Sequence, residues 1–224
     1  MKKRLAVAGL AVAAFVFAAC REAAAPASSG SLTPSFDVGG GQSGMSLHPS
    51  GFGEHSLAAW KAKEGLPDNH GKADHALYFQ KFTETPTFAA GVAIVDGLEG
   101  LPATALTILS WEHRNDGWCG AGAPRWNIGL TDASGGFGIA FLGCNAAAHI
   151  AGSAPDWTKD SWNVQAEIAA AIVLYGLDAG TTTIRGLAIV FDEGTDVPAN
   201  PGFVYLDNII VNSTRWTSPA DNSK

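Results

Sequence analysis

The chain has 224 residues, of which 46% are hydrophobic, 9% aromatic and 16% charged. The charged fraction is below the roughly 25% of an average soluble domain, which excludes disorder of the whole chain and favours a sizeable core. The formal net charge of −7 argues against nucleic acid as a partner and against direct attraction to anionic lipid.

The first twenty residues have the pattern of a bacterial export signal. Cationic Lys2, Lys3 and Arg4 precede an uncharged apolar run over 5–19, which is short for a membrane span and typical of a signal peptide. The end of this run, Phe17-Ala18-Ala19-Cys20, resembles the lipobox of bacterial lipoproteins. The resemblance implies a signal peptide over 1–19, lipidation of Cys20, and an exported domain held to a membrane through its lipid anchor only. The alternative is ordinary cleavage within 23–25 and release.

Composition divides the rest of the chain. Residues 20–44 are rich in Ala, Ser, Gly and Pro, which predicts a flexible tether. The folded domain is expected over 45–217, and 218–224 has the composition of a polar tail.

Within the domain, short β-prone runs alternate with turns rich in Gly, Pro, Asn and Asp. The predicted strands cover 56–62, 75–82, 88–95, 106–114, 125–131, 137–143, 182–192 and 203–212. This spacing predicts an all-β fold, an antiparallel β-sandwich of jelly-roll type, and argues against a βαβ enzyme. The stretch 164–175 suits either a strand or one short helix that Ser161 caps and Gly176 ends.

Two cysteines remain as a pair if Cys20 carries lipid. Because exported compartments are oxidising, a disulfide between Cys119 and Cys144 is expected. His113 lies six residues before Cys119, and His149 lies five residues after Cys144. A tetrahedral zinc site made of these four residues is therefore the alternative.

Period-two alternation places polar and aromatic side chains on one face of three predicted strands. If these strands share a sheet, that face presents Tyr78, Gln80, Glu112, Arg114, Arg125 and Asn127. Planar donors and acceptors beside an aromatic ring suit the vicinal hydroxyls of a sugar, which makes glycan the expected partner. The alternative is a solvated face on which Glu112 pairs with Arg114 or Arg125.

Tryptophans extend this hypothesis. Trp118 stands beside Cys119 in a glycine-rich run and is the best candidate for an exposed stacking platform, although tryptophans also pack on disulfides in sandwiches. Trp111 and Trp126 alternate with aliphatic residues and are expected in the core.

Carboxylates cluster near the ends of two predicted strands. Asp192, Glu193 and Asp196 occupy a glycine-containing turn, where they could bind calcium or could simply form the turn. Asp207 lies within an apolar strand and therefore needs a cation, a metal or several N–H donors. No cofactor is expected, apart from the calcium that these carboxylates could bind.

Two segments resemble known proteins. The run 202–212 looks like the last strand of jelly-roll carbohydrate-binding modules, in many of which an Asp at the position of Asp207 helps to bind structural calcium. The runs 119–127 and 141–144 resemble a set of uncharacterised secreted bacterial proteins. The first resemblance implies a sandwich fold and glycan binding, whereas the second implies no activity.

The expected function is a surface-tethered, non-catalytic binding module, with glycan as the ligand. A structural or adhesive component of the cell envelope is the main alternative. A glycoside-active enzyme that uses Glu112 with Asp192 or Glu193 is a weaker third hypothesis.

Overall fold

A computed structural model describes residues 44–67 and 73–223. The predicted signal peptide, Cys20 and nearly all of the predicted tether lie outside the described residues. Across the described residues, no helix has both the length and the apolar character that crossing a membrane requires.

Within the described residues, twelve strands form two antiparallel sheets, which confirms the all-β sandwich. The strands are β1 (Ser46–Phe52), β2 (Ser56–Lys61), β3 (Ala76–Lys81), β4 (Ala90–Asp96), β5 (Leu109–Arg114), β6 (Arg125–Thr131), β7 (Phe137–Gly143), β8 (Ala148–Ala151), β9 (Trp157–Ser161), β10 (Thr183–Phe191), β11 (Phe203–Val211) and β12 (Thr214–Trp216). The five-stranded sheet has the order β1-β4-β10-β6-β7. The seven-stranded sheet has the order β2-β3-β11-β5-β9-β8, with β12 also paired to β11.

The core lies between the two sheets and is filled by alternate residues of their strands. Trp126 and Ile128 of the five-stranded sheet and Leu206 of the seven-stranded sheet are fully buried in it. Trp111 and Trp126 stack there with ring centroids 5.2 Å apart, as their alternation with aliphatic residues predicts.

One helix, α1 (Val164–Tyr175), packs against the core through Val164, Ile168 and Ala171. This resolves the ambiguity of 164–175 in favour of a helix. Gly176 ends the helix at a φ of 64°, as predicted, because glycine adopts this left-handed conformation without steric cost. The N-cap is Asn163, whose side chain accepts a hydrogen bond from the Ala166 N–H; it is not Ser161, which belongs to β9.

A buried lysine ties one end of the sandwich together. Lys81 is 1% exposed, and its Nζ donates to the carbonyl oxygens of Thr85, Thr87 and Asp192 at 2.8–2.9 Å. Because β3 and β10 belong to different sheets, this ammonium group links the loop after β3 to the end of β10.

The last described residues also pack on the domain. Residues Pro219–Ser223 form a 3₁₀ helix within the predicted polar tail. The Asn222 side chain accepts a hydrogen bond from the Leu47 N–H and donates one to the Leu47 carbonyl, both at 2.8 Å. The tail is therefore polar as predicted, but it is joined to β1.

Candidate functional site

Three aromatic rings lie together on the outer face of the seven-stranded sheet. Tyr78 of β3 stands opposite Tyr205 of β11, and their ring centroids are 4.8 Å apart. The Phe203 ring lies 6.1 Å from Tyr78 and 5.8 Å from Tyr205. All three residues are half-buried, because the strand alternation that buries Leu77 and Val204 turns these rings outward. We call these three residues the aromatic strip.

Charged and polar groups border the aromatic strip. The Arg114 guanidinium lies 3.8 Å from the Tyr205 ring centre, and the Lys61 ammonium lies 5.6 Å from that of Tyr78. Both geometries are those of cation–π contacts. Arg114 is held in place by Glu64 at 2.7 Å and by Asp116 at 2.8 Å. The strip therefore has a border of mixed charge, in which two carboxylates hold Arg114 in place.

The tyrosine hydroxyls in the strip are neutral at physiological pH. Burial raises the pKa of Tyr78, with a further contribution from Tyr205, and burial also raises the pKa of Tyr205. The Tyr78 hydroxyl donates to Gln80 Oε1 at 3.2 Å. Gln80 Nε2 in turn donates to the His55 carbonyl. Tyr78, Gln80 and Arg114 thus lie on one face, as predicted.

Glu112 lies on this outer face but is buried beneath a neighbouring loop. Its carboxylate accepts hydrogen bonds from the Ser153 N–H and hydroxyl at 2.6 and 2.7 Å, and from Asn208 Nδ2 at 2.7 Å. Glu112 is 3% exposed and pairs with neither Arg114 nor Arg125. The predicted ion pair on a solvated face is therefore wrong.

Asp207 is the cross-strand neighbour of Glu112 and is also buried. It accepts hydrogen bonds from the Leu66 N–H at 2.7 Å and from the Asn208 N–H at 2.6 Å. Of the three kinds of partner expected for this carboxylate, the structure therefore supplies N–H donors. Burial raises the pKa of Asp207 to about 6, although these two hydrogen bonds act in the opposite direction.

Gly65 explains how the loop before β3 can approach Asp207. A Cβ atom at this position would lie 2.7 Å from Asp207 Oδ2 and 2.1 Å from the His75 carbonyl oxygen. Only glycine therefore allows the backbone to come close enough for Leu66 to donate to the carboxylate.

Arg125 and Asn127 do not join this face, which corrects the prediction. Both belong to β6, which lies between β10 and β7 in the five-stranded sheet, and they stand opposite Val190 and Ala188 of β10. Arg125 forms a bidentate pair with Asp192, at 2.5 and 2.7 Å, and donates to Asn127 Oδ1 at 2.9 Å. Strand alternation can assign a residue to a face of its strand, but not to one sheet or the other.

Trp118 contacts the core and Glu193, and its role as a stacking platform stays a prediction. It is half-buried and packs against the main core, and its indole N–H donates to Glu193 Oε2 at 2.6 Å. Glu193 also accepts from the Gly122 and Ala123 N–H groups, so this side chain fixes the glycine-rich loop.

The four carboxylates considered for calcium are not brought together. Asp192 pairs with Arg125, Glu193 accepts from Trp118, and Asp196 accepts from the Thr85 N–H and hydroxyl. Asp207 lies in the opposite sheet. The single group of potential metal ligands within 44–67 and 73–223 contains none of the four.

The structure also does not pair Glu112 with Asp192 or Glu193, as the glycosidase hypothesis requires. Glu112 accepts hydrogen bonds from Ser153 and Asn208, whereas Asp192 and Glu193 bind Arg125 and Trp118.

The disulfide between Cys119 and Cys144 is present, with a Cα–Cα distance of 5.2 Å. It lies beside Asp160, a carboxylate with no solvent exposure that sequence reasoning missed. Asp160 accepts hydrogen bonds from Trp111 Nε1 at 2.7 Å and from His113 Nδ1 at 2.6 Å.

His149 is not one of the four residues grouped at the disulfide, although the zinc hypothesis made it a ligand. Its Nδ1 lies 2.7 Å from Asp160 Oδ1, and its side chain is 41% exposed. The atoms that lie within 4.8 Å of one another belong to His113, Cys119, Cys144 and Asp160. The four-residue set expected from sequence spacing is therefore not the set that the fold assembles.

Phe203, Tyr205 and Asp160 are the residues of these two sites that sequence analysis missed. The first two carried a signal, because they alternate with Val204 and Leu206 in a predicted strand and so face outward. Asp160 carried none, since β9 is short and polar and does not show apolar alternation.

The class of the protein follows from the two sheets and their single helix: the described chain is an all-β sandwich with an aromatic, charged outer face. Comparison with protein-family models, with curated proteins and with solved structures finds no match.

Proposed function

We propose that the protein is a non-catalytic binding module for carbohydrate, tethered to a membrane surface by lipid at Cys20, and that the aromatic strip binds the ligand. The observation that supports this proposal is the contact among three half-buried rings on an outer sheet face. Aromatic faces bury the apolar C–H surface of a sugar ring, whereas neighbouring polar groups bind its hydroxyls.

The border of the strip supplies those polar groups. Arg114 and Lys61 are donors, whereas the Glu64 and Asp116 carboxylates that hold Arg114 are acceptors. Because Arg114 is already fixed by two carboxylates, binding would not have to order it, which reduces the entropic cost. Mixed charges favour a neutral polyhydroxylated ligand over a strongly anionic one.

The test is binding of the full-length Cys20→Ser protein to a glycan microarray and to insoluble polysaccharides. Tyr78→Ala and Phe203→Ala should each weaken the binding at least tenfold, because tenfold corresponds to about 1.4 kcal/mol, which is a modest loss for an aromatic contact. Tyr78→Phe keeps the ring and should retain most of the affinity.

Phe141→Ala is the matched control. Phe141 is an outward-facing aromatic residue of β7, 44% exposed, in the other sheet. Failure of the parent protein to bind any glycan would overturn the proposal and favour the structural or adhesive role. Equal losses in Phe141→Ala and Tyr78→Ala would overturn the assignment to the aromatic strip.

A further inference from the structure

The disulfide lies beside a histidine and an aspartate, two side-chain types that bind metal ions in proteins. Cys144 Sγ lies 3.5 Å from Asp160 Oδ2 and 4.0 Å from His113 Nδ1. One ligand atom from each of His113, Cys119, Cys144 and Asp160 falls within 4.8 Å of the others. All of these residues except Cys119 are buried, and Cys119 is half-buried.

From this geometry we propose that reduction of the Cys119–Cys144 disulfide creates a tetrahedral zinc site whose ligands are the two sulfurs, His113 and Asp160. Zinc favours four ligands drawn from thiolate, imidazole and carboxylate, and this set supplies two sulfurs, one nitrogen and one oxygen. The inference is independent of the proposed carbohydrate binding, which uses other residues on the outer face.

The four ligands come from both sheets and from one loop. His113 and Asp160 face the core from the neighbouring strands β5 and β9, where Asp160 pairs with Trp111. Cys144 directly follows β7 in the opposite sheet. The site therefore joins both sheets to the loop that carries Cys119.

The groups around Asp160 are those that a buried metal site requires. Trp111 Nε1 donates to Oδ2, and His149 Nδ1 lies against Oδ1. Hydrogen bonds of this kind orient a ligating carboxylate and raise metal affinity. Two thiolates and one carboxylate around Zn²⁺ leave one net negative charge, which these donors help to stabilise.

The chemistry balances with a dithiol or phosphine as the reductant. Two electrons break the S–S bond, and two protons complete the thiols. Zinc binding then releases both thiol protons to solvent. The proton between His113 Nδ1 and Asp160 moves to His113 Nε2, so that the neutral imidazole can ligate through Nδ1. A small-molecule disulfide can reverse the reaction: it accepts the two electrons of the thiolates and leaves as two thiols, while the Cys119–Cys144 bond forms again and the ion is released.

The experiment uses full-length protein carrying Cys20→Ser, reduced with a phosphine without oxygen and titrated with Co²⁺ as a spectroscopic probe. The reduced protein should bind one Co²⁺ per chain, with the thiolate-to-cobalt charge-transfer band and the visible bands of a tetrahedral ion, and zinc should displace it. The oxidised protein should bind none. Zinc should also slow alkylation of Cys119 and Cys144.

Variants test the ligand set. His113→Ala and Asp160→Asn should each weaken binding at least 100-fold, and Cys119→Ser should remove most of the charge-transfer absorption. His48→Ala is the control, because His48 forms a separate His–Asp pair with Asp96. If the reduced protein unfolds, zinc should refold it, as followed by circular dichroism.

Four results would overturn the proposal: no tetrahedral cobalt spectrum, undiminished binding in both His113→Ala and Asp160→Asn, failure of zinc to refold an unfolded reduced chain, or binding that His149→Ala weakens and Asp160→Asn does not. The last result would restore the ligand set that sequence spacing suggests.

Discussion

Buried charged side chains carry much of the specificity of this fold. Lys81, Glu112, Asp160 and Asp207 are each at most 3% exposed, and each has hydrogen-bond partners that satisfy it. Burial of a charge without such partners would cost several kcal/mol. Any rearrangement of the nearby loops or strands would therefore have to break these hydrogen bonds, which favours the native conformation.

Asp207 makes stability depend on pH. Its pKa of about 6 in the folded protein exceeds the roughly 3.9 of an unfolded chain. Between these values the folded state binds more protons, so the free energy of unfolding falls as the pH rises from about 4 to about 6. The loss from this group amounts to about 3 kcal/mol.

The Asp207→Asn variant isolates this effect. The stability of the parent relative to the variant should decrease by about 3 kcal/mol between pH 4 and pH 7, because the amide does not titrate. Urea unfolding at one-unit pH intervals measures the difference. A difference that stays constant over this range would contradict the raised pKa.

Lys81 should contribute strongly to stability. Lys81→Met removes the donor for the carbonyl oxygens of Thr85, Thr87 and Asp192, and we expect a loss of about 2 kcal/mol. Lys159→Met, at a half-exposed position of β9, is the control and should change stability by less than about 0.5 kcal/mol. Equal urea midpoints for the two variants would show that the buried ammonium group is dispensable.

At the scale of elements, prediction from sequence succeeded where apolar alternation was strong. Residues 125–131 and 137–143 are strands with the predicted bounds, because Trp126, Ile128 and Leu130 repeat with period two. β1 was missed because Pro49 and Gly51 interrupt it. β8, β9 and β12 were missed because they are short and because β9 turns a charged residue, Asp160, inward.

The candidate site was predictable only in part, for a related reason. The outward directions of Tyr78, Gln80 and Arg114 follow from local alternation. Whether β6 joins their sheet depends on contacts between residues far apart in sequence, and its assignment was wrong for Arg125 and Asn127. The alternation within a strand also does not indicate that the loop containing Ser153 covers and buries Glu112.

The disulfide stabilises the segment that contains β6 and β7. Its cysteines are separated by 25 residues, for which loop-closure entropy predicts about 3 kcal/mol. Replacing both cysteines by serine should lower the free energy of unfolding by that amount, measured in urea with a chelator present. Hydrogen exchange should increase most in the loop 117–124, and unchanged stability would contradict this account.

At the scale of the whole molecule, the two outer faces differ in chemistry. The seven-stranded sheet carries the aromatic strip and its charged border. The outer face of the five-stranded sheet presents the exposed Phe141 beside Arg125, together with small residues such as Val92 and Ala188 that are themselves buried. Because of this difference, substitutions on the five-stranded sheet can serve as controls for substitutions in the aromatic strip.

Anchoring is tested at this scale too. We expect the parent protein to incorporate an alkyne fatty acid in bacterial cells and to fractionate with membranes. Cys20→Ser should do neither, because it lacks the thiol to which we propose that the lipid is attached. Immunoblots of the membrane and aqueous fractions measure the outcome. An unmodified mature N-terminus beyond Cys20 in the parent would contradict lipidation.

The pair of hydrogen bonds between Asn222 and Leu47 brings the two ends of the described domain to one corner. A chain whose ends meet can be rejoined there and opened elsewhere, so a circular permutant with new termini in the exposed turn at 133–135 should still fold. If the proposed tether holds the domain at a membrane, such a permutant would attach it from a different side of the sandwich. Glycan binding by cells that carry the permutant would then show whether the proposed binding depends on how the domain is oriented.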